Sequence, residues 1–400
     1  MKRLWLSGVV CVLFMLQMDV VEAGYITLNG VGTRAGSLNG GFSSIAYDAA
    51  AVFYNPAALT ELEGTNFELG TTYYFPRLKH IDNTNVLHES DKWVSGFAPH
   101  FFVSTHIFKS LALGFGSYQP FALENNWIDH PTAAQWDPAR MRIIKNDFTI
   151  AAGYKLFSFL SLGGGFTASL GRYDAQQTTG GANTTLTEEA VGHGIGGHVS
   201  VHIKPVKFLE IGAGYFTEQT LDYAGRGSTG PNAALRETFK MKLRFPMFAF
   251  LGVSLLPLDN LSINGGAGWV KLSQLTGIRR QYLESNINDF FSILNQRAVI
   301  EPGAGIEWKP WKTTALRASY LYSPIAVDTP NVSPMFPDTK SYKWGAGFTY
   351  TFKNNFDLNL GYNYIRGKSR AIEGSLNPTY NGTYSSSTHL AHFGIAYKFI

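Results

Sequence analysis

One cysteine, Cys11, occurs in 400 residues, and it lies within the first apolar segment. Disulfide frameworks and thiolate chemistry are therefore excluded from the chain that follows. Beyond residue 18 no apolar run is long enough for a spanning helix. The net charge is only +4, with 16% charged residues and no basic cluster interleaved with aromatics, which argues against nucleic acid. Enzyme signatures are missing too. There is no Gly-x-Ser-x-Gly elbow, no phosphate loop and no zinc spacing, so no catalytic residue, cofactor or metal is expected. His198 and His202 share a strand face, but a pair without a third ligand makes a weak metal site.

What remains is apolar and aromatic content of 45% and 14%, 42 glycines, 20 tyrosines and 29 phenylalanines. Mean hydropathy is nevertheless near zero. Strands that alternate apolar and polar residues average in this way, as in a membrane β-barrel. The first residues read as a signal peptide, 1–23. Lys2 and Arg3 form the charged region, 4–18 the apolar region, and Val21-Glu22-Ala23 a small-x-small site with cleavage before Gly24. Residues 24–64 are glycine-rich and the least strand-like, and are too few for an independent domain. Within them, 44–59 is a small-residue, helix-like stretch that Asn55-Pro56 should stop, because proline pushes its predecessor out of the α region. This segment is expected to be a plug inside the barrel formed by 65–400.

From residue 65 the period is two. Phe67, Leu69, Thr71, Tyr73 and Phe75 alternate with Asn66, Glu68, Gly70 and Thr72, and the rhythm recurs to Phe399. Short turns fall near Lys109, Ser158, Pro205-Val206-Lys207, Pro257-Leu258-Asp259, Pro310-Trp311-Lys312 and Lys353-Asn354-Asn355, with long polar connections between them. About fourteen strands result, with short turns on one side and long loops on the other, as in outer-membrane barrels. The expected class is an all-β, transmembrane antiparallel β-barrel with a small N-terminal helical hatch in its lumen. Trp93, Trp127, Trp136, Trp308, Trp311 and Trp344 gather at strand ends, as interfacial girdles do. Residues 281–297 place Tyr282, Leu283, Ile287, Phe290, Phe291 and Leu294 at roughly helical spacing, which predicts an amphipathic helix in an external loop. The last strand alternates Phe393, Ile395, Tyr397 and Phe399 with His392, Gly394, Ala396 and Lys398, an end of the kind that barrel-assembly machinery recognises.

Three motifs in order carry a resemblance: 48–57, containing Asn55-Pro56-Ala57; 98–101 through 114–121; and 323–338 followed by Trp344-Gly345-Ala346-Gly347-Phe348. Together they resemble the FadL/TodX family of outer-membrane transporters for hydrophobic compounds. That resemblance implies a monomeric barrel of fourteen strands closed by an N-terminal hatch. It also implies passive uptake of long-chain fatty acids or aromatic hydrocarbons, and lateral release where the third strand kinks inward. The partners implied are the hydrophobic substrate, outer-membrane lipid and lipopolysaccharide. The segment 123–140 is modest in length, which leaves less chain for an external capture groove than the family can have.

A hydrophobic ligand needs a dry pocket, and barrel interiors are polar unless the hatch supplies apolar surface. Val52, Phe53, Leu59 and Phe121 are the candidates to line it, packing of the hatch against the wall being the other reading for the hatch residues. Asn55, Pro56 and Ala57 read as the residues that fix the hatch's end. Gly116 and Pro120 on the third strand are the candidates for the lateral gap, since proline breaks a ladder. For a fatty-acid carboxylate the candidates are Lys240, Lys242 and Arg244. The period sets them opposite Phe239, Met241, Leu243, Phe245 and Met247, and so turns them into the lumen. Arg317 joins them, with Glu301 and Glu307 as possible salt-bridge partners. Long-chain fatty acids lead as substrate; aromatic hydrocarbons, a surface adhesin with binding loops, and a general porin are the alternatives.

Overall fold

A computed structural model describes residues 30–39, 44, 48–90, 96–179, 184–229, 235–274, 277–284, 287–293, 295–353 and 355–399. The leader, residues 1–23, lies outside them. The strands are β1 (Thr65–Ile81), β2 (Leu87–Glu89), β3 (Gly96–Phe108), β4 (Leu111–Asn126), β5 (Arg140–Phe157), β6 (Leu160–Thr179), β7 (Thr184–Val206), β8 (Leu209–Phe216), β9 (Gln219–Thr229), β10 (Leu235–Phe245), β11 (Phe248–Leu258), β12 (Leu261–Val270), β13 (Gly277–Tyr282), β14 (Phe290–Ile293), β15 (Val299–Trp311), β16 (Thr314–Ser323), β17 (Ser341–Thr351), β18 (Phe356–Ile372) and β19 (Gly382–Phe399). Each long strand pairs antiparallel with its neighbours, and β1 closes on β19 from Thr65↔Phe399 to Ile81↔Thr383. β8 with β9, and β10 with β11, each form one interrupted crossing, so the closed wall has fourteen strands. β2, β13 and β14 pair only at the rim.

The outer face is apolar where the strands alternate. Ile150, Phe166, Val191, Ile195, Val199, Leu251 and Phe393 are exposed on it. Their inward neighbours in the lower barrel are polar: Glu68, His100, Thr149, Ser200, His202, Glu210, Asn264 and Glu307 are all buried. The rim differs from expectation at 281–297. Among its described residues that segment holds the end of β13 and the whole of β14, and no helix. Phe239 to Met241 of β10 rise beyond the end of β12 and need a partner for their backbone groups; Arg280 to Tyr282 provide it.

Two single-turn helices, α1 (Thr33–Gly36) and α2 (Ala51–Tyr54), and a 3-10 turn at Pro56–Glu61 fill the lower lumen. The Asp48 carboxylate accepts from the Ala50 N–H at 3.0 Å where α2 starts. Asn55 leaves helical space at φ −156°, ψ 87° because Pro56 follows it, and Pro56 then opens the 3-10 turn. A one-turn helix is not stable alone, so packing must hold it. Val31, Leu38, Val52, Phe53 and Leu59 are buried against the wall. Asn55 Nδ2 donates to the Val201 carbonyl at 3.2 Å, and the Ala57 N–H donates to Ser200 Oγ at 3.0 Å. Gly163 on β6 lets this turn approach, since a Cβ there would collide with the Ala57 backbone.

Gly163→Val should therefore displace the 56–61 turn, at a cost of about 1–3 kcal/mol. The expected result is a lower thermal midpoint together with ion leakage across planar bilayers. A variant as stable and as tight as the parent would contradict this docking.

Candidate functional site

Above the plug, a hollow of about 560 Å³, partly open to solvent, lies against the wall from β4 to β12. Its floor is Phe53 of α2; Tyr118, Pro120 and Phe121 of β4, and Phe245, Pro246 and Phe248 at the β10/β11 junction, form much of its side. The rings interlock, with Phe53–Tyr118 centroids 4.9 Å apart, Phe216–Phe248 3.9 Å and Phe121–Phe245 5.2 Å. Such offset and edge contacts leave an apolar surface suited to aliphatic or aromatic ligands.

One charged pair faces this chamber. Lys145 Nζ lies 2.5 and 2.6 Å from the two Asp147 oxygens, Ser169 Oγ donates to Asp147 at 2.7 Å, and the ammonium sits 5.4 Å from the Phe245 ring centre. Both charges are buried, which is tolerable because they are paired and hydrogen-bonded. Sequence reasoning missed them. The signal was available: Lys145 and Asp147 occupy the face of β5 opposite Ile144 and Phe148, and so point inward.

The chamber sits where the wall changes which residues face inward. Tyr118 opposes Asp147 but Phe121 opposes Lys145, so β4 carries one extra residue at Gln119–Pro120. From there the β3–β4 ladder is absent, its last pair being Phe101↔Ser117. Gly116, just below the break, takes the Phe102 ring against its missing side chain. The β8/β9 and β10/β11 crossings are interrupted together at Thr217–Glu218 and Pro246–Met247. A one-residue insertion flips every side chain beyond it. Hence Phe239, Met241, Leu243 and Phe245 are buried inside, while Lys240, Lys242 and Arg244 are exposed on the outer face. The inward placement of these three cations is thereby corrected. Lys242 pairs with Asp222 outside the wall at 3.1 Å.

The remaining candidates divide. Phe53 and Phe121 line the cavity; Val52 and Leu59 do not, being wholly buried against β4 beside Gly114. Arg317 points inward but holds structure. Nη1 contacts Glu307 at 3.3 Å, Nε donates to Ser37 Oγ at 3.1 Å and Nη2 to Thr349 Oγ1 at 2.8 Å, while Glu307 also binds Arg34 of α1. His198 Nε2 meets the Val52 carbonyl at 3.2 Å and His202 Nε2 meets Glu210 at 3.1 Å, so both brace the lower lumen.

A second hollow, of about 770 Å³, opens at the mouth among Met141, Ile278, Phe291, Met335, Phe336 and Leu376. Beside this hollow Arg280 is fully buried. Its Nη2 lies 2.7 and 2.8 Å from Asp137, Nη1 lies 3.1 Å from Glu188, and Tyr282 donates to Glu188 at 2.6 Å. Beside the mouth three histidines clasp the loops together. The hydrogen bonds assign the tautomers: His80 Nε2–H donates to the Asn381 carbonyl (3.0 Å), His130 Nε2–H donates to His80 Nδ1 (3.1 Å), and the Thr132 N–H donates to His130 Nδ1 (3.2 Å). His80 stacks on Tyr384 at 4.4 Å, His130 packs on Trp136 at 4.3 Å, and the His88 ring, 4.2 Å from His130, is hydrogen-bonded to Asp82.

A closed β-barrel with an apolar outer belt, a plugged lower lumen and an apolar chamber above the plug is a transport channel of the outer membrane. The chain belongs to the outer membrane protein transport protein family (OMPP1/FadL/TodX), whose sequence pattern matches residues 20–399. Outer membrane protein P1 of Haemophilus influenzae is 21% identical over an alignment that covers 89% of this chain and 90% of that protein. Among solved structures, a Pseudomonas aeruginosa FadL homologue superposes with TM-score 0.80 at 15% identity, covering 92% of this chain and 98% of its own. The Ralstonia pickettii toluene transporter TbuX does so with TM-score 0.73 at 16% identity, covering 94% and 100%. These likenesses are of fold. Members of this family transport hydrophobic compounds.

The clasp makes the mouth sensitive to acid. Burial first, then the charges of His88 and His80, hold the His130 pKa down to about 4. A free imidazole protonates near 6.5. The opened loops therefore bind more protons than the closed ones as pH falls below about 6.5, and the clasp weakens progressively down to about pH 4. Asp82, His88, Tyr380 and Tyr384 are the other titratable groups around it. Titrating the His130 ring by NMR in detergent should give a midpoint near 4, with quenching of Trp136 fluorescence over the same range. A midpoint near 6.5 would contradict the clasp.

Proposed function

We propose that this channel takes up amphipathic hydrophobic molecules by passive diffusion, long-chain fatty acids foremost. The route runs from the mouth hollow, past the Arg280 layer, into the chamber over Phe53, and out sideways between β3 and β4 beside Pro120. The exit is supported by the end of the β3–β4 ladder at Phe101↔Ser117 and by Pro120, which lines the chamber and cannot donate to a neighbouring strand. The observation that carries the substrate class is Lys145, the cation of the lining, which is otherwise mainly aromatic and apolar apart from its partner Asp147 and the neutral Thr167, Thr217 and Gln219. A carboxylate entering head-first would take the ammonium from Asp147, which keeps its bond from Ser169.

A neutral aromatic hydrocarbon is the second reading. It is favoured by the outward turn of Lys240, Lys242 and Arg244, which leaves the chamber without the basic row, and by Lys145 already being neutralised. The neighbours TbuX and TodX are toluene transporters, whereas the Pseudomonas aeruginosa neighbour is a FadL homologue, so both substrate classes are represented among proteins of this fold.

The double variant Lys145→Met/Asp147→Leu separates the two, because it removes both charges and leaves neither one buried alone. In detergent, oleate binding should fall on the order of 10–100-fold, the value of a charge-assisted hydrogen bond worth about 1.5–3 kcal/mol, while toluene binding stays unchanged. A parent protein that binds toluene but not oleate would establish the second reading. Unchanged oleate binding in the double variant would remove Lys145 from the site.

A further inference from the structure

The corrected orientation of the basic row leaves it outside the channel, on the wall that faces lipid. Arg236, Lys240, Lys242 and Arg244 recur at every second or fourth position of β10, roughly 7 Å apart along the strand from Lys240 to Lys242 to Arg244 and roughly 13 Å from Arg236 to Lys240. Arg226 of β9 opposes Thr238, midway between Arg236 and Lys240, so three cations surround one point of the wall. An open groove runs beside them, lined by Arg172, Arg226, Arg236 and also by Asp174 and Glu189.

The height of the row is set by its neighbours. On β6 the outward residues Leu162, Phe166 and Leu170 give way to Arg172. On β7, Val199, Ile195 and Val191 give way to Glu189. On β11, Leu255, Val253 and Leu251 give way, across the Pro246 insertion, to Arg244. Tyr215 and Trp269, both outward, mark the top of this apolar belt as interfacial aromatics do. The cations thus begin where hydrocarbon ends on the external side.

Carboxylates are present. Asp222 meets Lys242 at 3.1 Å, Glu218 meets Arg244 at 4.0 Å, Asp174 meets Arg172 at 2.8 Å, and Glu284 accepts from Thr238. These pairs are exposed and hold their partners weakly. Among the described residues Arg226, Arg236 and Lys240 have no carboxylate within 4.0 Å. At the outer edge of a bacterial outer membrane the groups available to such cations are the phosphates of the leaflet's glycolipid. Guanidinium forks suit phosphate bidentately, and an ammonium adds a point charge.

We propose that Arg226, Arg236 and Lys240, flanked by Lys242 and Arg244, form a binding site on the outer wall for the phosphate groups of outer-leaflet lipopolysaccharide. The site is independent of the transported substrate and anchors the channel in the external leaflet.

The experiment uses full-length protein, delipidated and placed in phosphatidylcholine nanodiscs. Bisphosphorylated lipid A, its dephosphorylated form and inorganic phosphate are the probes. The parent should bind bisphosphorylated lipid A. The triple variant Arg226→Gln/Arg236→Gln/Lys240→Gln should bind it on the order of 10–100-fold more weakly, each charge near an anionic lipid surface being worth a several-fold change. Lys312→Gln, in a turn at the opposite end of the barrel, should leave binding unchanged. The dephosphorylated lipid should bind parent and triple variant alike, and millimolar inorganic phosphate should not displace lipid A. Heat-modifiable migration verifies the barrel; if the triple variant fails to assemble, Lys240→Gln alone should weaken binding several-fold. Equal binding by parent and variant, binding indifferent to the lipid's phosphates, or displacement by inorganic phosphate alone would each overturn the proposal.

Discussion

Alternation is the constraint on which the rest of this structure depends. Successive side chains of a strand point to opposite faces, so a residue's side of the wall follows from its position unless a residue is inserted. The wall makes such insertions at Gln119–Pro120 and across Thr217–Glu218 and Pro246–Met247. Below them, polar residues face the lumen and surround the plug. Above them, Leu123, Leu221, Tyr223, Phe239, Met241, Leu243 and Phe245 face inward and make the upper lumen apolar. The chamber lies at the change, and both Pro120 and Pro246 line it. The same insertions open the β3–β4 ladder and turn the basic row toward the membrane, so one device accounts for the pocket, the break in the wall and the charged outer rim.

The plug completes the arrangement from below. It has too little regular structure to stand alone, and it is held by two kinds of contact. On one side the turn after Pro56 sits against β5, β6 and β7, where Gly153 and Gly163 leave room for backbone. On the other, Arg34, Glu307, Arg317 and Ser37 form a buried network between α1 and β15–β16. Removing one partner from such a network leaves an uncompensated charge. Held this way, the plug forms the floor of the chamber, with Phe53 as its upper surface.

Much of this was legible in the sequence. Period-two alternation, six short turns separated by long connections, and the closing aromatic strand are local signals, and the barrel follows from them. The helix-stopping role of Asn55-Pro56 is local too. The orientation of Lys240, Lys242 and Arg244 was not legible, because the apolar set Phe239, Met241, Leu243 and Phe245 reads as a lipid face, whereas above the break at Pro246–Met247 the lumen itself is apolar. Pro246 was its visible sign: the reasoning that marks Pro120 as a break applies equally there. The helical spacing at 281–297 misled because β13 forms to satisfy the exposed edge of β10, a demand from distant chain. Lys145 and Asp147 were within reach of the alternation argument. The His80–His130 clasp and the Arg280 network were not, since each joins segments far apart in sequence.

The most direct test reads the alternation itself. With no cysteine after Cys11, single cysteines placed at residues 241–244 and 250–253 can carry a polarity-sensitive label in lipid bilayers containing a lipid-tethered quencher. Quenching is expected at 242 and 244 above the insertion but at 251 and 253 below it, with 241, 243, 250 and 252 protected. Quenching that keeps one parity throughout, at 241 and 243 as well as 251 and 253, would contradict the inversion and with it the apolar chamber.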